Sequence, residues 1–366
     1  MLKYIESKMN KSSYPVAGQS LDITPAIDYR SDTVTKPSTA MRQFMSQAAV
    51  GDDVYGEDPS INALQLQVAK LLDKEASLFV PSGTMSNLLA LMAHCQRGEE
   101  VIVGDHYHIF SHEAGGASVL GSIVMQSLST SAKGYITAEQ VAAAIRPDDA
   151  HFAKSKLICL ENTVSGFVQP QAELEAIAVL AKERHLKVHM DGARLMHAAI
   201  KTNSSPADLC KHLDSVSLCL SKGLGAPAGS VLSGSKSFIA RASRLRKMLG
   251  GGMRQAGIIA AAGIYALDNN LQRLQDDHQL AYYFATQLNK IAPLSVDLAS
   301  VETNMLFVDF PLAPGKTDQQ SLAKFLISSG ICIGDTVPCR IVVHLDISRS
   351  DVDKTLAAIS EYYSAG

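Results

Sequence analysis

Between residues 62 and 202 the chain alternates helix-period segments with short runs that are apolar almost throughout, and few architectures accommodate that alternation. A strand apolar on both sides must be covered on both sides, which a parallel sheet flanked by helices achieves. The spacing predicts helices over 62–72, 85–95 and 172–184. Strands are predicted over 77–80, 101–103, 156–160, 186–190 and 215–220. A β/α barrel would need eight regular repeats, and these are absent.

Beyond Gly250 the pattern changes. Residues 254–267 are apolar nearly all round and read as a buried helix, with an interface as one setting for it. Residues 271–291 form a long amphipathic helix that connects to a second α/β unit. That unit has strands over 304–310 and 340–345, a helix over 318–329, and a last helix opened by the capping box Ser348-x-x-Asp351. With 366 residues, two or three structural units are expected. The division is an N-terminal arm over 1–27, a large domain over 28–270 and a small C-terminal domain over 271–366.

Charge and cysteines narrow the function. Thirty-three basic and 36 acidic residues leave a formal charge of −3, which gives no global reason to bind nucleic acid or an anionic membrane. No apolar stretch reaches the roughly 18 residues a membrane helix needs. Six scattered cysteines without a C-x-x-C pair read as buried free thiols, so a cytoplasmic, reducing setting is expected. The basic run Arg241, Arg244, Arg246, Lys247 reads as the solvated or interface face of a helix.

Three runs carry chemistry. In the first, a strand, the turn Pro81-Ser82-Gly83-Thr84-Met85 and a helix start would present free N–H groups to an anion such as a phosphate. The second ends the strand 186–190 with Asp191-Gly-Ala-Arg194, where the carboxyl ends of parallel strands place ligands. In the third, Ser221-Lys222-Gly223 closes an apolar strand, a setting that partly desolvates an amine and suits Schiff-base chemistry. The same run matches G-x-G-x-x-A, but Pro227 and the lack of an acidic residue between Gly229 and Asp268 exclude a dinucleotide fingerprint. Together, a phosphate cradle, a strand-end Asp and a strand-end Lys 31 residues later are the pattern of pyridoxal phosphate enzymes.

From Asp28 to the C-terminus the sequence also resembles the low-specificity L-threonine aldolases. The matching stretches begin at Asp28-Tyr-Arg-Ser31-Asp-Thr, Val50-Gly-Asp-Asp-Val-Tyr55, His108-Ile-Phe-Ser-His-Glu113, Leu160-Glu-Asn-Thr163, His189-Met-Asp191-Gly-Ala-Arg194, Leu220-Ser-Lys222-Gly-Leu-Gly225 and Gly250-Gly-Gly-Met-Arg254. The resemblance implies pyridoxal 5′-phosphate and an aspartate aminotransferase-like α/β fold with a mostly parallel seven-stranded sheet. It implies homo-oligomers, expected as tetramers built from two dimers, acting on a small amino acid. It further implies that Lys222 carries the cofactor beside Ser221, that Asp191 partners the pyridine nitrogen, and that Gly83, Thr84 and Met85 lie at the phosphate. Arg254 would arrive from a neighbouring subunit. His108 would stack on the ring, Ser31, Arg194 and Arg340 would hold the substrate carboxylate, and His151 would lie near the substrate hydroxyl. Val164 and Met85 stand where the family more often has His and Gln.

A planar carboxylate suits bidentate guanidinium groups, and a histidine or a histidine-bound water suits removal of a hydroxyl proton. His108 and His151 both remain open as that base. The expected reaction is cleavage of L-threonine or L-allo-threonine to glycine and acetaldehyde. A β-eliminating lyase or a racemase with the same cofactor is the alternative. The cluster His106, His108, His112 lacks further ligands in pattern, so no metal is expected.

Overall fold

The computed structural model describes residues 26–317, 321–334 and 336–364; the arm expected over 1–27 lies almost wholly outside them. Eleven strands are described: β1 (Ile27–Asp28), β2 (Ala76–Val80), β3 (Glu100–Gly104), β4 (Val124–Leu128), β5 (Ser155–Glu161), β6 (Lys187–Gly192), β7 (Ser215–Cys219), β8 (Ser230–Gly234), β9 (Met305–Val308), β10 (Ile331–Cys332) and β11 (Cys339–Val342).

Seven of them form one sheet in the order β2-β8-β7-β6-β5-β3-β4. The run from β4 to β7 is parallel, and β8 lies antiparallel to both β7 and β2. All five expected strands are present. The two the sequence did not announce are explained by their environment. β4 is an edge strand with no fully buried residue, so it lacks an apolar signature. β8 is buried throughout but carries Ser230 and Ser233, whose polarity breaks the run; Ser233 is satisfied by a 2.7 Å bond to Ser77.

Helices cover both faces. Gly83–His94, capped by Ser82 Oγ on the Met85 N–H, runs along the sheet. Gly257–Asn269 packs its alanine face against Pro59–Leu71, where Gly263 leaves no room for a side chain beside Leu64 and Leu220. One expectation is overturned on the helix Lys236–Met248. Arg246, read as part of a solvated or interface face, is buried within the subunit, because its guanidinium donates to the Phe79 carbonyl and to Asp53, each at 2.7 Å.

A smaller core is built on the antiparallel pair β9-β11 and the parallel pair β1-β10, with the helices Leu274–Leu288, Leu322–Ser328 and Arg349–Ser364. The expected capping box is present, Ser348 and Asp351 exchanging backbone and side-chain bonds. Residues 318–320, the start expected for one of these helices, lie outside the described residues. Leu274 belongs to the large core and Phe284 to the small one, so a single helix reaches both. On either side of the expected division at residue 28, Ile27 and Tyr29 pack in the small core, Tyr29 against Phe284 and bonded to Thr355. All six cysteines are free and buried, and no helix among the described residues is long and apolar enough to cross a membrane.

Candidate active site

Strand order reverses between β3 and β5: the connection from β3 moves toward β4, while β5, β6 and β7 succeed one another in the opposite direction. A crevice at the carboxyl ends there is where an open α/β sheet binds ligands. The residues at that edge are His108, Glu161, Asp191 and Lys222.

Asp191 is the register partner of Glu161 and is 3% exposed. Its Oδ1 accepts the Ala193 N–H at 3.0 Å, and its Oδ2 accepts from Asn87 Nδ2 at 2.9 Å. The same Asn87 nitrogen donates to Glu113 Oε1 at 2.8 Å, and Glu113 Oε1 pairs with His108 Nδ1 at 2.8 Å. His108 also donates its backbone N–H to Glu161 Oε2 at 2.6 Å, which ties the turn after β3 to the end of β5. Burial, reinforced by the Asp191 carboxylate, pushes the Glu161 carboxyl up to about 8. The His108 ring, 41% exposed, stacks beside His112.

Lys222 follows β7 through a turn closed by the Gly225 N–H on the Lys222 carbonyl, 2.8 Å, with Gly225 at φ +78°. Gly223 is required by close approach, since a Cβ there would lie 2.4 Å from His197 Nε2. The Lys222 ammonium makes no hydrogen bond or ion pair among the described residues. Ser221 Oγ contacts Cys219 Sγ at 3.4 Å.

Arg194 is held by Asp32, Nε and Nη2 reaching the two carboxylate oxygens at 2.8 and 2.5 Å. Burial opposes ionisation of Asp32, but the Arg194 guanidinium outweighs it, with Lys222 and His197 adding, and holds the carboxyl well below its usual range. Ser31 Oγ lies against Asp32 and the Thr33 N–H. Arg340 donates to the Arg30 carbonyl at 3.1 Å. One three-residue segment, Arg30-Ser31-Asp32, therefore touches both arginines of the expected clamp. Asp32 occupies one edge of Arg194 and leaves its remaining N–H groups for a second carboxylate.

The expected phosphate turn is a helix N-terminus. Ser82 takes the Met85 N–H, which leaves those of Gly83 and Thr84 without a partner among the described residues. Met85 contributes packing in place of a donor, its sulfur lying against Gly251. Two buried atoms near these ends also lack partners: Ser230 Oγ, 3.6 Å from where a Gly83 Cβ would stand, and Asn162 Nδ2, whose backbone N–H bonds the Asp191 carbonyl. A buried carboxylate, an unpaired lysine, a helix N-terminus and these unspent donors fit an anionic, aromatic cofactor.

Two expected residues lie away from this edge within the subunit. The His151 side chain is 87% exposed and bonded to Asp149 in the turn before β5. That places it at the amino end of the strand, about 20 Å along the sheet from Glu161. Arg254 is 73% exposed and 3.7 Å from Asp52. His106 and His112 bond Thr130 and Ser111, so the three histidines do not converge; His108, Glu113 and Asp191 do, within 4.8 Å, around Asn87. Asp32, Asn87, Glu113, Glu161 and His189 were not singled out from sequence. Asp32, Glu113, Glu161 and His189 lie inside the stretches that match the family; Asn87 and His189 also stand out as polar residues in the largely apolar runs Met85–Leu91 and Leu186–Met190.

The fold and this edge define a pyridoxal phosphate-dependent enzyme of the lyase class. The chain belongs to the beta-eliminating lyase family, whose model matches residues 28–311, and within it to the low-specificity L-threonine aldolases. It is 48% identical to the low-specificity L-threonine aldolase of Escherichia coli O157:H7, over 90% of this chain and 97% of that one. It is 45% identical to low-specificity L-threonine aldolase 1 of Arabidopsis thaliana, over 92% and 96%. Among solved structures, a putative L-allo-threonine aldolase from Listeria monocytogenes EGD-E superposes with a TM-score of 0.75 at 21% identity, covering 93% of this chain and 97% of that one. The threonine aldolase of Leishmania major does so at 0.76 and 19%, covering 92% and 99%.

Proposed function

We propose that this enzyme cleaves L-threonine and L-allo-threonine, with other β-hydroxy-α-amino acids, to glycine and an aldehyde. The observation that carries the reading is the edge where Asp191, Lys222, the guanidinium of Arg194 and the ring of His108 meet at the carboxyl ends of the strands. Pyridoxal 5′-phosphate, when bound, supplies the electron sink for the bond that breaks. Lys222 would carry it, Asp191 would face the pyridine nitrogen, Asn162 would supply a donor, and Gly83 and Thr84 would receive the phosphate.

Arg194, Ser31 and Arg340 hold the substrate carboxylate. That grip leaves the Cα–Cβ bond as the one free to cleave. His108 is the base for the β-hydroxyl: Nδ1 is engaged by Glu113, so Nε2 is the atom left to take the proton, directly or through a water. As the Cα–Cβ bond breaks, the hydroxyl carbon leaves as acetaldehyde and Cα receives a proton, so glycine and acetaldehyde account for every atom of threonine.

The enzyme works as a homo-oligomer, a tetramer of two dimers, in the cytoplasm. What supports this is the surface around Arg254: Val54, Tyr55 and Ile258 are exposed apolar residues near the Asp52 to which Arg254 points, and a neighbouring subunit would both cover them and receive Arg254 at its phosphate turn. The buried free thiols suit a reducing compartment.

The test is a visible spectrum followed by turnover. A yellow band abolished by borohydride, acetaldehyde release from L-threonine, and loss of both in Lys222→Ala are expected. A yellow protein releasing pyruvate or ammonia, or only racemising its substrate, would replace the aldolase reading.

A further inference from the structure

Behind the site runs a line of hydrogen bonds whose polarity is fixed at one point. Asn87, 1% exposed, directs Nδ2 at two carboxylates, Glu113 Oε1 and Asp191 Oδ2. Ionised carboxylates only accept, so the amide nitrogen must face them and Oδ1 must face the other way. There it meets His189 Nε2 at 3.2 Å, which must be an N–H. His189 Nδ1 is then bare and accepts from Ser215 Oγ at 2.9 Å, and Ser215 Oγ accepts from His94 Nε2 at 2.8 Å. Burial drives His189 down to about 3 and His94 down to about 4, so both rings are neutral and keep these single tautomers.

On the site side the same logic reaches His108. Glu113 Oε1 accepts from Asn87 and faces His108 Nδ1 at 2.8 Å. We infer that Glu113 is a positioning residue for the reaction: held by Asn87, it fixes the proton of His108 on Nδ1 and so leaves Nε2 bare toward the substrate hydroxyl. Because Asn87 binds Asp191 with its second hydrogen, the ring orientation of His108 and the carboxylate facing the cofactor are set by one side chain. Glu113 itself is 9% exposed, within a helix-to-helix turn, and among the described residues its carboxylate has no hydrogen-bond partner other than these two. Burial raises its pKa, and the His108 and Asn87 bonds offset part of that rise.

The inference deepens the aldolase reading and rests on His108 being its base, so its test has one measurement that does not need turnover. In 15N-histidine-labelled enzyme, the His108 nitrogens, assigned by difference with His108→Asn, are expected to show the proton on Nδ1. Wild-type His108 protonated on Nε2 overturns the inference whatever the variants do. Glu113→Ala is expected to mix the two tautomers and lower kcat about 10- to 100-fold, with KM within about threefold. Glu113→Gln, which keeps an acceptor for Nδ1–H, is expected to restore the tautomer and most of kcat. A Glu113→Ala enzyme with wild-type tautomer and kcat, or a Gln variant no better than Ala, overturns it. An enzyme that releases no acetaldehyde at all overturns the aldolase reading and leaves the tautomer result standing.

Discussion

The two ends of the large sheet hold similar residues in opposite circumstances. At the carboxyl ends, Asp32 and Arg194 are paired with side-chain exposures of 0% and 13%, and His108 is held by a carboxylate that is itself held. At the amino ends, Lys154 and Asp148 pair at exposures of 60% and 85%, and His151 reaches its neighbour Asp149 in the open. The first set is fixed because each group, once out of water, has no alternative to its partner. The second set exchanges freely with water and contributes little. Residue type alone therefore does not make a site; the end of the strand does.

The largest effect expected from this contrast is in Asp32→Asn. Removing one partner of a buried pair leaves Arg194 uncompensated, and such a loss costs about 3–5 kcal/mol. Denaturant unfolding should show the unfolding free energy fall by that much, with a lower midpoint, together with a raised KM for threonine. Asp148→Asn at the other end should leave the midpoint in place; equal shifts in the two variants would abolish the distinction.

An intermediate effect is expected from pH. His189 and His197 are buried and neutral, each pushed down to about 3, chiefly by burial. Below their unfolded values near 6.5 the unfolded chain binds protons that the folded one does not, so stability falls as pH drops from about 6.5 toward 3. Glu161, raised to about 8, acts in the opposite sense: the folded state retains a proton the unfolded one has lost, so stability declines between about 4.5 and 8. Thermal melting across pH should therefore peak between these limbs. The acid limb should flatten in His189→Gln, and a curve unchanged in that variant would remove the buried-network part of the argument.

The smallest effect is expected in His151→Ala, with kcat and KM within about twofold. A hundredfold loss would mean that a neighbouring subunit's amino end meets this subunit's site, which breaks the comparison at its root.

Much of this was legible because burial on both faces leaves a sequence pattern. β3, β5, β6 and β7 are buried almost throughout and largely apolar, and the ends of β6 and β7 lead directly to Asp191 and Lys222. The anion turn was legible because small residues before a helix have few other uses. What was not legible is pairwise. Nothing in the run Arg30-Ser31-Asp32 tells that Asp32 will meet Arg194, 162 positions away, and nothing near Asn87 tells that it will bridge two carboxylates. His151 shows the same limit: the sequence does not say that it stands in the turn before β5, at the amino end of the strand.

The small core contains Tyr29 bonded to Thr355, 326 positions apart in sequence. A ribosome making this chain delivers the second partner 326 residues after the first. The large sheet has all its strands by Gly234 and is free to fold during synthesis, but the segment that touches both arginines waits for the last helix. Closing such a distant contact is slow compared with local folding. The newborn protein thus passes through a stage in which its sheet is complete and its substrate clamp is not, so that a chain cut short before the last helix would lack the clamp as well as the small core.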